Sequence, residues 1–203
     1  MARLQGPKHR MCRRTGEKLC SSNRCPSTRR NQPPGVHGPK GFRRLTEFGN
    51  QLKEKQKARF MYGVMEKQFR KYYESSSKSQ GNTAEGMWQN LETRLDNVVF
   101  RLGFAKSRAQ ARQIVSHGWV VVNGKRVNIP SFHVKVGDTV AMKAGAKNSD
   151  LWKKVTEQGG ADTTPQWLSI DINNLEGKVL ALPKAEDFPA NVNMTLVVEY
   201  YSR

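Results

Sequence analysis

The chain is short of acid. Its 203 residues carry 17 Asp plus Glu against 35 Lys plus Arg, a formal net charge of +18. Self-repulsion of that size opposes a compact state unless a polyanion neutralises it. Nucleic-acid phosphate, which releases counterions when neutralised, is the first candidate and an anionic membrane surface the rival. Long apolar runs are also missing. The longest strongly apolar stretch, Trp119 to Val122, is a short strand beside the roughly 20 residues of a membrane span. The opening MARLQGPKHR has no apolar core of a secretory signal. The protein is therefore expected in the cytoplasm, where thiols stay reduced. Its three cysteines are an odd number, which speaks against a purely disulfide framework. The catalytic signatures GxSxG, HExxH and GxGxxG are absent. Gly118 to Lys125 echoes a phosphate loop, but Arg126 stands where Ser or Thr is needed. An enzyme is not expected.

What is present is unevenly spread. Residues 1–44 hold 12 basic side chains and one acid, Glu17, and residues 45–150 hold 18 basic and 9 acidic. Residues 151–203 carry more acid than base. A nucleic-acid footprint should therefore involve the first three quarters of the chain. Residues 1–44 have little apolar material beyond Leu4, Met11, Leu19 and Phe42. Such an arm must be extended, stapled or ordered by a partner.

Residues 45–93 read as a helical domain. Thr46 caps a helix to about Tyr62, with Gly63 ending it. A second helix covers about Met65 to Lys78. A third begins after Asn82-Thr83 and carries Met87, Leu91, Leu95, Val98 and Leu102 at helical spacing, with Gly103 as its stop. Residues 94–150 then form a small mixed unit. Ser107 caps a helix from Arg108 to Ser116. Trp119–Val122 and Lys125–Ile129 pair as strands across Asn123-Gly124, a dipeptide suited to a turn with positive φ at both positions. Val134–Asp138 and Thr139–Met142 follow. In residues 151–203, Trp167–Ile172, Lys178–Leu182 and Leu196–Tyr201 read as further strands completing the fold. The class is α+β, in which a basic arm, a helical domain and a helix-plus-antiparallel-sheet domain follow one another.

Two constellations carry chemistry. In SRAQARQIVSHGWVVVNGKRV, Ala111, Ile114 and Val115 face inward while Arg108 and Arg112 share an outer face. Lys125 and Arg126 follow the turn, and Gly124 leaves bare backbone for close approach of a sugar–phosphate chain. With the helix N-terminus at Ser107, these four cations suit phosphate. The second constellation is His9, Cys12, Cys20 and Cys25, one nitrogen and three sulfurs. That is a complete tetrahedral set for structural zinc, although thiolates also suit an iron–sulfur cluster. Its neighbours Arg10, Arg13, Arg14 and Arg24 would then form one basic knob. His37 and His133 read as surface or packing histidines. Trp88, Trp119 and Trp167 read as core; Trp152 fits either core or base stacking.

The stretch from Arg94 to Ser131, RLDNVVFRLGFAKSRAQARQIVSHGWVVVNGKRVNIPS, resembles the RNA-binding domain of the bacterial small-subunit ribosomal protein S-four family. LKEKQKARFMYG at Leu52–Gly63, NQPPGVHGPK at Asn31–Lys40 and the terminal EYYSR extend the resemblance over essentially the whole chain. The resemblance implies direct, early binding of 16S ribosomal RNA at a multi-helix junction of its 5′ domain, and nucleation of subunit assembly. It implies a place in the ribosome beside neighbouring small-subunit proteins and near the messenger RNA entry path. By position it assigns rRNA contact to Arg94, Asn97, Arg101, Ser107, Arg108, Arg112, His117, Asn123, Lys125 and Arg126. To these the arm adds Arg10, Arg13, Arg14, Arg43 and Arg44. Asp96 is expected to orient a neighbouring Arg or Asn. Family members differ in whether the arm keeps four cysteines, and here His9 stands at the first position. RNA-modifying enzymes also borrow this domain, and a free RNA-binding regulator of translation is a further alternative. Neither a membrane nor a small-molecule substrate is implied.

Overall fold

The computed structural model describes residue 4 and residues 6–22, 24–42, 44–143, 145, 164–172 and 174–203. Arg43 and Trp152 lie outside them. The chain gathers into two compact units, Met1–Trp88 with Pro189–Arg203, and Gln89–Phe188.

The first unit is helical. Its arm is not merely extended: Lys8–Thr15 forms α1, ended by Gly16 at φ 77. Helix α2 (Glu47–Tyr62) starts where Thr46 Oγ1 accepts the Gly49 amide at 3.2 Å and stops at left-handed Gly63. Helix α3 (Glu66–Lys78) follows, and α4 (Thr83–Glu92) begins in this unit and ends in the second.

The expected terminal strand at Leu196–Tyr201 is instead part of a helix, which we number α7 (Met194–Ser202). β-branched and aromatic residues favour strands only weakly against context. Here Asn193 Oδ1 accepts the amides of Thr195 and Leu196, capping the helix. Val197 and Met194 are buried, and Gln51 on α2 donates to Glu199 at 3.0 Å. Residues 189–203 thus group with the helices of the first unit, whereas the expected division joined them to residues 151–188 as strands. Lys57 is buried but satisfied, with Glu54 at 2.6 Å, Glu17 at 2.7 Å and the Asn191 carbonyl at 3.1 Å.

The second unit combines two helices with an antiparallel sheet. Helix α5 spans Leu95–Arg101 and α6 Arg108–Ser116. The strands are β1 (Val120–Val122), β2 (Lys125–Val127), β3 (Thr139–Met142), β4 (Leu168–Asp171) and β5 (Glu176–Val179), in the order β2-β1-β3-β5-β4. Val121 pairs with Arg126, Val120 with Met142, and Val140 and Ile170 with Gly177. The turn is as its dipeptide predicts, with Asn123 at φ 49 and Gly124 at φ 78. The second strand ends at Val127 rather than Ile129, Val134–Asp138 forms no strand, and the strand expected at Lys178–Leu182 lies at Glu176–Val179, leaving Leu180 and Leu182 exposed. Leu95, Val98, Val99, Leu102, Ala111, Val115, Val120, Val140 and Trp167 belong to one buried cluster, with Trp119 packed against it. Trp88, in the first unit, is buried too.

The expected single helix from Thr83 to Leu102 is two. Thr93 and Arg94 part from helical geometry, Arg94 having ψ 136. The loop at residues 130–134 captures the break: the Leu95 amide donates to Phe132 O, the Asp96 amide to Pro130 O, and the Val134 amide to Thr93 O. These tertiary bonds replace the intrahelical ones, so the apolar spacing continues across a corner.

Candidate nucleic-acid interface

Helices α5 and α6 gather five of the expected residues into two side-chain networks, Arg94 and Arg112 on Asp96, and Arg101, Asn97 and Arg108 about Glu92. Arg94 is 2% exposed, and its guanidinium grips Asp96 twice, Nε to Oδ1 at 3.0 Å and Nη2 to Oδ2 at 2.6 Å. Arg112, on α6, reaches the same Asp96 Oδ2 at 3.4 Å. Arg101 makes a fork to Glu92, Nε to Oε2 at 3.0 Å and Nη2 to Oε1 at 2.7 Å, and also reaches the Asp187 carbonyl at 3.3 Å. Asn97 donates to Glu92 Oε2 at 2.6 Å and accepts from Arg108 Nε at 2.8 Å. The Arg108 guanidinium lies 4.7 Å from the centre of the Phe100 ring. Ser107 Oγ accepts the Gln110 amide at 3.3 Å and so caps α6.

Two sequence expectations change here. Arg94 and Asn97 are interior residues of this unit, not surface groups. Each sits inside because a carboxylate from its own neighbourhood satisfies it, which is the condition for burying such groups. Asp96 orients Arg94 and Arg112, as expected. Glu92, 0% exposed, was not anticipated. Its one signal was an acid beside Leu91 in an apolar helical stripe, which also reads as a helix end.

The hairpin carries the remaining cations. Lys125 and Arg126 are exposed. Arg126 Nη2 donates to the His117 carbonyl at 3.3 Å, and its guanidinium lies against the bare backbone of Gly118, where a Cβ would overlap it. Asn123 is tied down, donating to Asp138 Oδ1 at 2.7 Å and accepting the Thr139 amide at 2.9 Å. His117 is exposed. His133, read as a packing residue, meets Thr93 Oγ1 at 3.2 Å.

In the arm, Arg13 is a clip, donating to the carbonyls of Gln32 and Pro33 at 3.1 Å. Arg10, Arg14, Arg24 and Arg44 are exposed. His9, Cys20 and Cys25 place their ligand atoms within 4.8 Å of one another. His9 Nδ1 lies 3.7 Å from Cys20 Sγ, and Cys25 Sγ lies 3.0 Å from Ser27 Oγ. Cys12 stands outside that mutual triplet. Burial pushes Cys12 up to about 11. Burial also pushes Cys25 up, but hydrogen bonds from Ser27, His9 and Cys20 outweigh it and bring the thiol down to about 6. One imidazole and three thiols are the donor types of a structural zinc site.

A family model described as the ribosomal protein S4/S9 N-terminal domain matches residues 3–92, and one described as the S4 domain matches residues 93–140. The junction falls at the corner between α4 and α5. Among similar proteins, the small ribosomal subunit protein uS4 of Dictyoglomus turgidum is 53% identical, and that of Heliobacterium modesticaldum 49%. The uS4 protein of Acetivibrio thermocellus is 48% identical. Each match covers all of both chains.

Proposed function

The chain belongs to the family of the small ribosomal subunit protein uS4, and from that premise we propose that it is a structural constituent of the small subunit that binds 16S rRNA directly. One observation carries the reading beyond membership. The arginines of α5 and α6 are held in place before any RNA arrives, Arg101 on Glu92, Arg108 on Asn97 and Arg112 on Asp96. A side chain already ordered loses less entropy when it meets a phosphate. Recognition rests on phosphate and 2′-hydroxyl contacts and on junction shape, because A-form RNA hides its base edges in a deep, narrow groove.

The exposed arm arginines Arg10, Arg14 and Arg24 extend the footprint, with Arg44 beyond them. His9, Cys20 and Cys25, with Cys12 as fourth donor, would hold one zinc ion. Bound there, zinc supplies a crosslink and no chemistry on RNA. The protein works in the cytoplasm, among neighbouring small-subunit proteins, near the messenger RNA entry path and without enzymatic activity. Sedimentation tests this reading. Purified protein mixed with a 16S rRNA 5′-domain transcript should co-sediment with it and not with an unrelated transcript of equal length. Equal binding to both would reduce the protein to a general polycation.

A further inference from the structure

Glu92 is a liability on its face. It is a fully buried carboxylate in a chain built to meet a polyanion, and burying a charge is costly unless it is fully paired. Its pairing is complete: both oxygens accept from Arg101, and Oε2 also accepts from Asn97. The consequence lies one residue further on. The amide of Asn97 has a donor end and an acceptor end. Its nitrogen is turned to Glu92, to the carbonyl at 3.0 Å and to Oε2 at 2.6 Å. That leaves Oδ1 facing Arg108 Nε at 2.8 Å. Were the amide reversed, two donors would meet at Arg108. Both groups of Glu92 that face Asn97 only accept, its ionised carboxylate and its main-chain carbonyl alike, so Glu92 dictates the orientation of Asn97, and Asn97 gives Arg108 its acceptor.

We infer that Glu92 is a positioning residue for RNA binding: it holds Arg101 directly, and Arg108 through the amide of Asn97, in the poses that receive RNA phosphate. The inference rests on the RNA-binding reading above. Arg108 is further steadied by the Phe100 ring, so the relay sets its direction while the ring supports its plane.

The charge change separates this role from simple electrostatics. Glu92→Gln raises the net charge by one, which by itself tightens binding to any polyanion. Positioning demands the opposite: a glutamine has one acceptor oxygen where the Arg101 fork needs two, so whichever way its amide turns its nitrogen confronts Arg101 and frees it, while the main-chain carbonyl still holds the Asn97 amide. Affinity for the 5′-domain transcript should fall by about tenfold, the scale of re-ordering one or two long side chains. Asn97→Ala tests the other limb at wild-type net charge, removing the acceptor of Arg108 while keeping the Glu92–Arg101 fork. It too should lower affinity, by about threefold to tenfold, the scale of re-ordering one long side chain.

Side-chain NMR of the RNA-free protein reads the relay separately. The Arg101 Nε–H resonance should exchange slowly in the wild type and fast in Glu92→Gln, and the Arg108 Nε–H resonance slowly in both and fast in Asn97→Ala. If folded Glu92→Gln binds as tightly as wild type, or tighter, Glu92 is not a positioning residue. If Arg108 exchange is unaltered in Asn97→Ala, the relay is wrong. If Glu92→Gln does not fold, Asn97→Ala decides, since it removes the acceptor and keeps the Glu92–Arg101 fork: wild-type affinity there overturns the inference. Failure of the wild type to bind the transcript would instead count against the function proposed above, and the NMR comparison would still judge the relay.

Discussion

Tyr201 donates its hydroxyl hydrogen to Glu66 Oε1 at 2.6 Å, joining the third residue from the end of the chain to the first residue of α3. The same carboxylate takes Lys55 at 2.9 Å and Arg59 at 2.8 Å. Lys55 also lies 4.4 Å from the centre of the Tyr200 ring. Two cations of α2 and a hydroxyl from the far end of the chain are thus gathered on one acid.

That gathering gives a pH prediction. Burial pushes the Glu66 carboxyl up, but Tyr201, Lys55 and Arg59 outweigh it and hold it below its ordinary value. A depressed carboxyl contributes stability that is fully present above the unfolded value of about 4.3 and is lost as pH falls through the folded one. Melting temperature should therefore drop between about pH 5 and pH 3 more steeply in wild type than in Glu66→Gln. Parallel melting curves for the two proteins would refute it. Tyr201→Phe should cost about 1 kcal/mol at neutral pH, one hydrogen bond to an acceptor that keeps its cations.

Arg108→Ala with Arg112→Ala should weaken RNA binding and flatten its salt dependence. A protein with roughly 6–10 phosphate contacts loses about 10³–10⁵ in affinity between about 50 and 200 mM salt. Removing two contacts should lower the slope of log K against log salt by about 2. Filter binding across that range is the measurement, and an unchanged slope removes α6 from the interface. The double variant should also lose about 1–3 kcal/mol of stability, because both side chains make internal bonds to polar groups.

Gly118→Ala should displace Arg126. The glycine sits at φ 70, and a Cβ there would overlap the Arg126 guanidinium. A left-handed backbone costs a residue with a side chain about 1–2 kcal/mol. Thermal unfolding should show a loss of at least that size, with weaker RNA affinity in the folded fraction. A variant matching wild type in both assays would show that Arg126 does not depend on this bare backbone.

The arm should bind about one zinc per chain, measured by elemental analysis of reduced protein. Cys12→Ser, Cys20→Ser and Cys25→Ser should each abolish binding. Removing the metal should expose the arm to protease while leaving residues 45–203 folded, since metal affinity becomes folding free energy of the segment it staples. Native protein free of metal would leave RNA to order the arm.

Local chemistry was legible from the residues themselves. Asn123-Gly124 predicted a turn with two positive φ values because few other residues tolerate them. Thr46, Ser107 and Gly63 announced helix ends because capping is decided within a few positions. Ala111 and Val115 announced a buried face because helical spacing alone places them together. The basic balance, and its fading toward the C-terminus, needed no fold.

Tertiary structure decided the rest, where a residue's partner is distant or its setting competes with its propensity. Leu196–Tyr201 reads as a strand in isolation; docking beside α2, with Asn193 as cap, makes it helical. The stripe from Met87 to Leu102 reads as one helix, until the loop at residues 130–134 offers bonds that turn a corner at Arg94. Arginines look alike in a sequence. Only the placement of Glu92, Asn97 and Asp96 separates the interior Arg94 from Arg101, Arg108 and Arg112, because a buried charge requires its acceptor in three dimensions, which spacing along the chain does not reveal.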